Sequence, residues 1–127
     1  MKNSQKNRSG WRRWVYALGF SILGLKAAYQ YEKAFRLEVY LAVFMLPAAF
    51  WLGQNWVERS LLAGSVIAVM AAELGNSAIE ITIDRISMER HDLSGRAKDL
   101  GSACVLLLVL WMLLVWGSAL WNRFGGA

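Results

Sequence analysis

From its first residue the chain runs through a polar start, one amphipathic stretch and three long apolar runs. Residues 1–10 are polar and predict a frayed tail. Trp11, Trp14, Val15, Leu18, Ile22, Leu25 and Tyr29 then fall on one stripe at about 100° per residue, with basic residues beside it. The pattern predicts an amphipathic helix lying in a membrane interface over residues 11–36. The stripe is lost after Tyr29, where Glu32, Lys33 and Arg36 rotate into it, so a bend is expected near residues 30–36. A weaker strip of Phe20, Leu23 and Ala27 predicts contact with protein as well as lipid.

Residues 37–53 form the first predicted span, with Pro47 a kink that a membrane helix tolerates. Residues 53–59 read as a short turn. Residues 60–83 form the second span, about 36 Å long as a helix, and residues 84–99 a charged connector. Residues 100–121 are 22 residues without a charge, about 33 Å as a helix against a hydrocarbon core of roughly 30 Å. The fold expected is a single all-α membrane domain over residues 1–127, with an N-terminal interfacial helix and three transmembrane helices.

Composition narrows the class. The chain is 57% apolar and 18% charged, which excludes a disordered chain. Its one cysteine, Cys104, lies inside the third span, which excludes a disulfide scaffold. No short apolar run with a small-residue cleavage site follows the first basic residues, so no secretory leader is read there. The formal charge of +5 could point to nucleic acid, but its placement points to topology. Of 14 Lys and Arg, eight precede residue 37 and four (Arg85, Arg90, Arg96, Lys98) lie in the connector; only Arg59 and Arg123 remain. The N-terminus and connector are therefore expected in the cytoplasm, with no nucleic-acid partner. Trp51, Trp56, Trp116 and Trp121 fit a belt at the opposite interface.

The second span carries polar residues that a membrane helix does not hold for nothing. Glu73, Asn76, Ser77, Glu80 and Asp84 share one helical face. Each ionisable side chain costs about 2.5–3.5 kcal/mol at the centre of a span on insertion scales. Glu73 lies about 20 Å past Ser60 along the helix, and Glu80 and Asp84 climb from there towards the connector. A blander reading makes this face the hydrogen-bonded seam of an oligomer, although carboxylates rarely serve so. The four-residue repeat of Ser60, Gly64, Ala68 and Ala72 is the better candidate for close helix packing. In the connector, Lys98 and Asp99 alone would be interfacial anchors; beside a ramp of carboxylates they predict an anionic-ligand and metal site. His91 alone reads as a loop residue.

Phosphate loops with a Gly-x4-Gly-Lys-Ser/Thr spacing, Gly-x-Gly-x-x-Gly turns and Cys/His clusters are all absent. Any nucleotide would be held by side chains and metal. The run Glu73-Leu-Gly-Asn-Ser-Ala-Ile-Glu80-Ile-Thr-Ile-Asp84, followed by Ser94-Gly-Arg-Ala-Lys98-Asp99-Leu-Gly-Ser102-Ala, resembles the signature of the small bacterial integral-membrane diacylglycerol kinases. The likeness extends over nearly the whole chain and includes Glu32-x-Ala-Phe-Arg36.

The resemblance implies a homotrimer in the bacterial inner membrane that moves the γ-phosphoryl group of ATP to the hydroxyl of diacylglycerol, giving phosphatidic acid. It implies Glu73 as catalytic base and Glu32 with Glu80 as Mg2+ ligands. Lys98 and Asp99 match nucleotide-site positions, as do Arg13, Phe20, Glu32, Glu80, Glu89, Arg90 and His91. Arg13, Glu73 and Ser102 match lipid-substrate positions, and Asn76 lines the reaction centre. Asp92 departs from the Glu expected there, and residues 29–31 match less well. A diacylglycerol hydroxyl lies just beneath the headgroups, within reach of Glu73, and a carboxylate partly withdrawn from water is a better general base. Glu80 is nearer water, where Mg2+ needs only one or two carboxylates beside phosphate oxygens. Glu32 must fold over to reach it; otherwise a Glu32–Arg36 pair at i,i+4 is expected. Undecaprenol is the alternative acceptor. A proton-coupled transporter built on Glu73 and a non-catalytic assembly subunit are the readings from other classes.

Overall fold

Helices account for nearly all of the computed structural model, which describes residues 10–126. The polar tail therefore lies, apart from Gly10, outside the described residues. Four helices run α1 (Trp11–Tyr31), α2 (Lys33–Leu52), α3 (Trp56–Ile86) and α4 (Asp92–Leu120), and a π-helical turn, Trp121–Gly125, closes the chain. Three helices, Lys33–Leu52, Trp56–Ile86 and the continuous Asp92–Gly125, are long and apolar enough to cross a membrane. In space α3 packs against both α2 and α4, while α1 leans on α2.

The expected bend falls on one residue. Glu32 adopts extended backbone (φ −107°, ψ 109°) between α1 and α2. Arg36 secures it by donating from Nε to the Tyr29 carbonyl (2.9 Å) and from Nη2 to the Gln30 carbonyl (2.8 Å). These carbonyls end α1 and lack intrahelical partners, so a cation supplies what the helix terminus needs. The predicted Glu32–Arg36 pair is therefore replaced: the guanidinium is engaged by backbone, and the Glu32 carboxylate is left for other work. The Tyr29 and Tyr40 hydroxyls, 2.9 Å apart, add a second tie across the elbow. That hydrogen bond pushes the Tyr29 phenol above its ordinary value.

The turn between α2 and α3 is shorter than residues 53–59. Asn55 Oδ1 accepts from the Glu58 amide (2.9 Å), and Glu58 Oε1 accepts from the Gln54 amide (2.8 Å). This Asn-x-x-Glu spacing is a variant of the capping box, and it starts α3 at Trp56 rather than Ser60. Arg59 turns back and donates from Nε to the carbonyls of Phe50 and Gly53, each at 3.1 Å. A Cβ at Gly53 would stand 2.9 Å from the Arg59 backbone nitrogen, so the turn closes only over glycine.

Residues 84–99 are mostly not a connector. α3 runs on through Ile86, and α4 begins at Asp92. His91 is the reason, and it is not an idle loop residue: its Nδ1 accepts from the Leu93 amide (3.1 Å), capping α4. Asp92 adds a favourable charge to the first turn. At 31 residues α3 is about 46 Å long, well beyond a hydrocarbon core, so its last turns project past it.

The buried core sits at the opposite end. Ala49, Leu52, Leu62 and Ala119 form it, with Ala63, Val115 and Trp116 packed against them. Trp116 departs from the expected interfacial belt: its Nε1 donates to Ser65 Oγ (3.1 Å) and the Leu62 carbonyl (3.3 Å). Trp51, Trp56 and Trp121 remain exposed. In the small-residue stripe Ser60 and Gly64 are exposed, with nothing within 4 Å of a Cβ on Gly64, while Ala68 and Ala72 are half-buried.

Candidate functional site

The polar face of α3 is built because Glu73, Asn76, Ser77 and Glu80 recur at helical spacing on an uninterrupted helix. Its neighbours divide it. Ser77 is buried, Glu73, Asn76 and Glu80 are half-buried, and Asp84 is exposed. The face thus opens gradually towards the α3–α4 loop.

Towards α4 two contacts define the site. Asn76 packs on Gly101, where an added Cβ would overlap Asn76 Oδ1 and touch Ile79 Cδ1 at 3.4 Å. Only a glycine lets the amide lie this close to α4. Further along, Lys98 Nζ pairs with Asp84 Oδ1 at 2.9 Å, with the two side chains 40% and 44% exposed. At that exposure the pair contributes at most about 1 kcal/mol to stability. Its larger effect is to hold the Lys98 ammonium at the mouth of the site.

Around that pair the end of α3, the loop and the start of α4 enclose a cleft of about 580 Å³. Glu89, Arg90, His91, Lys98 and Asp99, five of the residues predicted to hold a nucleotide, line it together with Asp84. Arg96 also lines it. The fold brings these together because α4 starts at Asp92 and returns its first two turns alongside α3.

The other predicted residues lie elsewhere. Glu32 lines a second cleft, about 550 Å³, between α1 and the Leu74, Ser77 and Ala78 side of α3. Glu80 is outside both linings, and Ser102 is exposed on α4. Arg13 and Phe20 are exposed on α1 and outside both clefts. One chain thus gathers the residues around the α3–α4 loop without joining them to the α1 residues.

Among the described residues no three His, Cys, Asp or Glu side chains converge on a point that could hold a metal ion. Glu32 at the elbow and Glu80 on α3 are hard oxygen donors, and one or two such carboxylates suffice for Mg2+ when phosphates and water complete its shell. The donor chemistry fits.

The pattern along the chain does not single out one acid that the fold brings to Glu73. Glu38, on α2, meets Glu73 on α3, and its Oε1 is buried without a hydrogen-bond partner. Its signal was a single acid within the predicted first span, close enough to Arg36 and Tyr40 to pass as interfacial.

Similarity to known proteins extends over most of the chain. The profile of the prokaryotic diacylglycerol kinases matches residues 19–120. A diacylglycerol kinase of Escherichia coli (strain K12) is 44% identical over 119 residues, covering 94% of this chain and 98% of the relative. One from Haemophilus influenzae is 46% identical over 112 residues, 88% and 95% of the two chains. One from Pseudomonas aeruginosa is 41% identical over 115 residues, 91% and 94%.

Proposed function

The chain belongs to the prokaryotic diacylglycerol kinase family and is an enzyme of that kind, and from this premise we propose how its residues divide the work. The acceptor hydroxyl of diacylglycerol gives its proton to the Glu73 carboxylate as its oxygen bonds the γ-phosphorus of ATP. The bond from that phosphorus to the β,γ-bridging oxygen breaks, and ADP leaves with the electron pair. The product is phosphatidic acid. Lys98 faces the charge on the transferred group, which in phosphoryl transfer is stabilised mainly by position and electrostatics. Glu89, Arg90, His91 and Asp99 hold the nucleotide, with Asn76 and Ser102 at the reaction centre and Arg13 and Phe20 closing the site from α1. Glu32 and Glu80 would hold Mg2+, which when bound with ATP offsets phosphate charge.

The observation that carries this reading is the Lys98–Asp84 pair at the mouth of the cleft, at the end of a polar face that begins with Glu73. A cation held there supports phosphate binding at the mouth of the cleft, and a carboxylate deeper on the same face supports a place for the lipid hydroxyl. The placement of Glu32 in a separate cleft, and of the exposed Arg13 and Phe20 outside both, supports sites shared between protomers of a homotrimer. The distribution of basic residues supports an N-terminus on the cytoplasmic side of the inner membrane, with α1 in the interface.

The test is transfer of labelled phosphate from Mg-ATP in mixed micelles, with diacylglycerol and undecaprenol offered in parallel. Labelling of diacylglycerol is expected. Glu73→Gln should lower kcat about 10²- to 10⁴-fold with ATP binding and assembly intact. A Glu73→Gln enzyme that fails only because it does not fold would overturn the assigned role.

A further inference from the structure

Glu38 is an acid in the middle of an apolar surface. It follows Phe35 and precedes Ala42 on α2, and both are buried. Those spacings of three and four residues put Glu38 on the face that packs against α3 rather than on one that meets water or lipid. There its carboxyl meets Glu73. Its Oε1 is buried and unpartnered, and so is Asn76 Oδ1 on the next turn of α3 after Glu73.

Glu38 thus brings an acceptor oxygen to Glu73 from α2, while Asn76 Oδ1 lies against Gly101 of α4, and neither orphan oxygen has a donor among the described residues. Burying such atoms unsatisfied costs about 1–3 kcal/mol each. Two ionised carboxylates in contact would add about 4 kcal/mol of repulsion at an effective dielectric constant near 20. One proton between them removes that repulsion and turns the contact into a short, charge-assisted hydrogen bond.

We propose that Glu38 is a positioning residue for the transfer reaction: its protonated carboxyl donates to Glu73 and holds that base in one orientation. This rests on Glu73 being the base. The Glu38 proton stays on Glu38 throughout. One oxygen of Glu73 is occupied by it, and the other is left to take the proton of the lipid hydroxyl as the oxygen–phosphorus bond forms. A carboxylate free to rotate on α3 would spend most of its time misaligned, and misplacement by about 1 Å can cost about 10²-fold in rate.

The experiment compares full-length Glu38→Gln and Glu38→Leu enzymes in mixed micelles, with labelled Mg-ATP and a dioleoylglycerol acceptor. Gln keeps an N–H donor of the same reach; Leu keeps only bulk. Glu38→Leu should lower kcat about 10²-fold while KM for ATP and lipid moves less than about twofold, and Gln should recover most of the loss. Equal losses in Gln and Leu, or a loss that lies in KM, would overturn the proposal. Should Glu38→Leu fail to assemble, Glu38→Met gives the same comparison. In a Glu73→Gln background the Leu substitution should cost nothing further, because groups acting as a unit are not additive; independent, multiplying losses would refute it. An inactive Glu73→Gln beside a fully active Glu38→Leu sinks this inference alone. A fully active Glu73→Gln sinks the reading beneath it.

Discussion

The two ends of the helical bundle hold their polar groups in opposite ways. At the end where α2 turns into α3, the charged and aromatic side chains are tied down. Arg59 caps α2 and lies 4.9 Å from the Trp56 ring centroid. Arg123 lies 4.6 Å from that of Trp51, and Trp116 binds Ser65 and Leu62 over the buried core. At the other end one exposed ion pair stands over an open cleft, and two buried oxygens wait for donors. A fold marginal in free energy cannot leave polar atoms unsatisfied everywhere. Here the packed end stabilises helices whose other end leaves polar atoms unpaired around an open cleft.

Substitutions at the two ends should therefore move different observables. The largest stability effect is expected at the packed end. Trp116→Ala removes a half-buried ring and its two hydrogen bonds, and should destabilise the protein by about 3 kcal/mol, measured by denaturant titration in micelles. The kcat of the molecules that remain folded should not change. If kcat fell in parallel, the ends would be coupled and the division between them lost.

At the cleft end the effect should appear in rate. Gly101→Ala puts a methyl group where Asn76 Oδ1 lies, and the amide must rotate away. A loss of about tenfold in kcat, or ~1.4 kcal/mol in barrier, is expected with an unmoved thermal midpoint. The smallest effect belongs to Asp84→Asn. Freeing Lys98 from an exposed partner should cost no more than about 1 kcal/mol of stability. Added salt should lower the wild-type midpoint towards that of the variant, because screening weakens the same pair. A deficit that persists in high salt would mean Asp84 has a structural role beyond the pair.

What could be read from sequence follows from periodicity. Helical spacing along one element identified the three long apolar helices and put Glu73, Asn76, Ser77 and Glu80 on one face. The signature from Glu73 to Ser102 pointed to the family. The helix ends were less legible. Caps depend on side chains reaching backbone, and Asn55 with Glu58, His91 and Arg36 extended or ended helices that hydropathy alone had cut at charged residues.

Residues that act across helices were legible least. Nothing along the chain connects Glu38 with Glu73, Asp84 with Lys98, or Gly101 with Asn76, since each pair joins different helices. Period and hydropathy, which depend only on neighbours in sequence, settled the helical class, the apolar spans and the line of acids on α3. The tertiary structure alone decided which of those acids meets a cation, which meets another acid, and that Asn76 lies against a bare glycine. Those encounters depend on how α2 and α4 are rotated against α3, and that rotation is set by packing between helices.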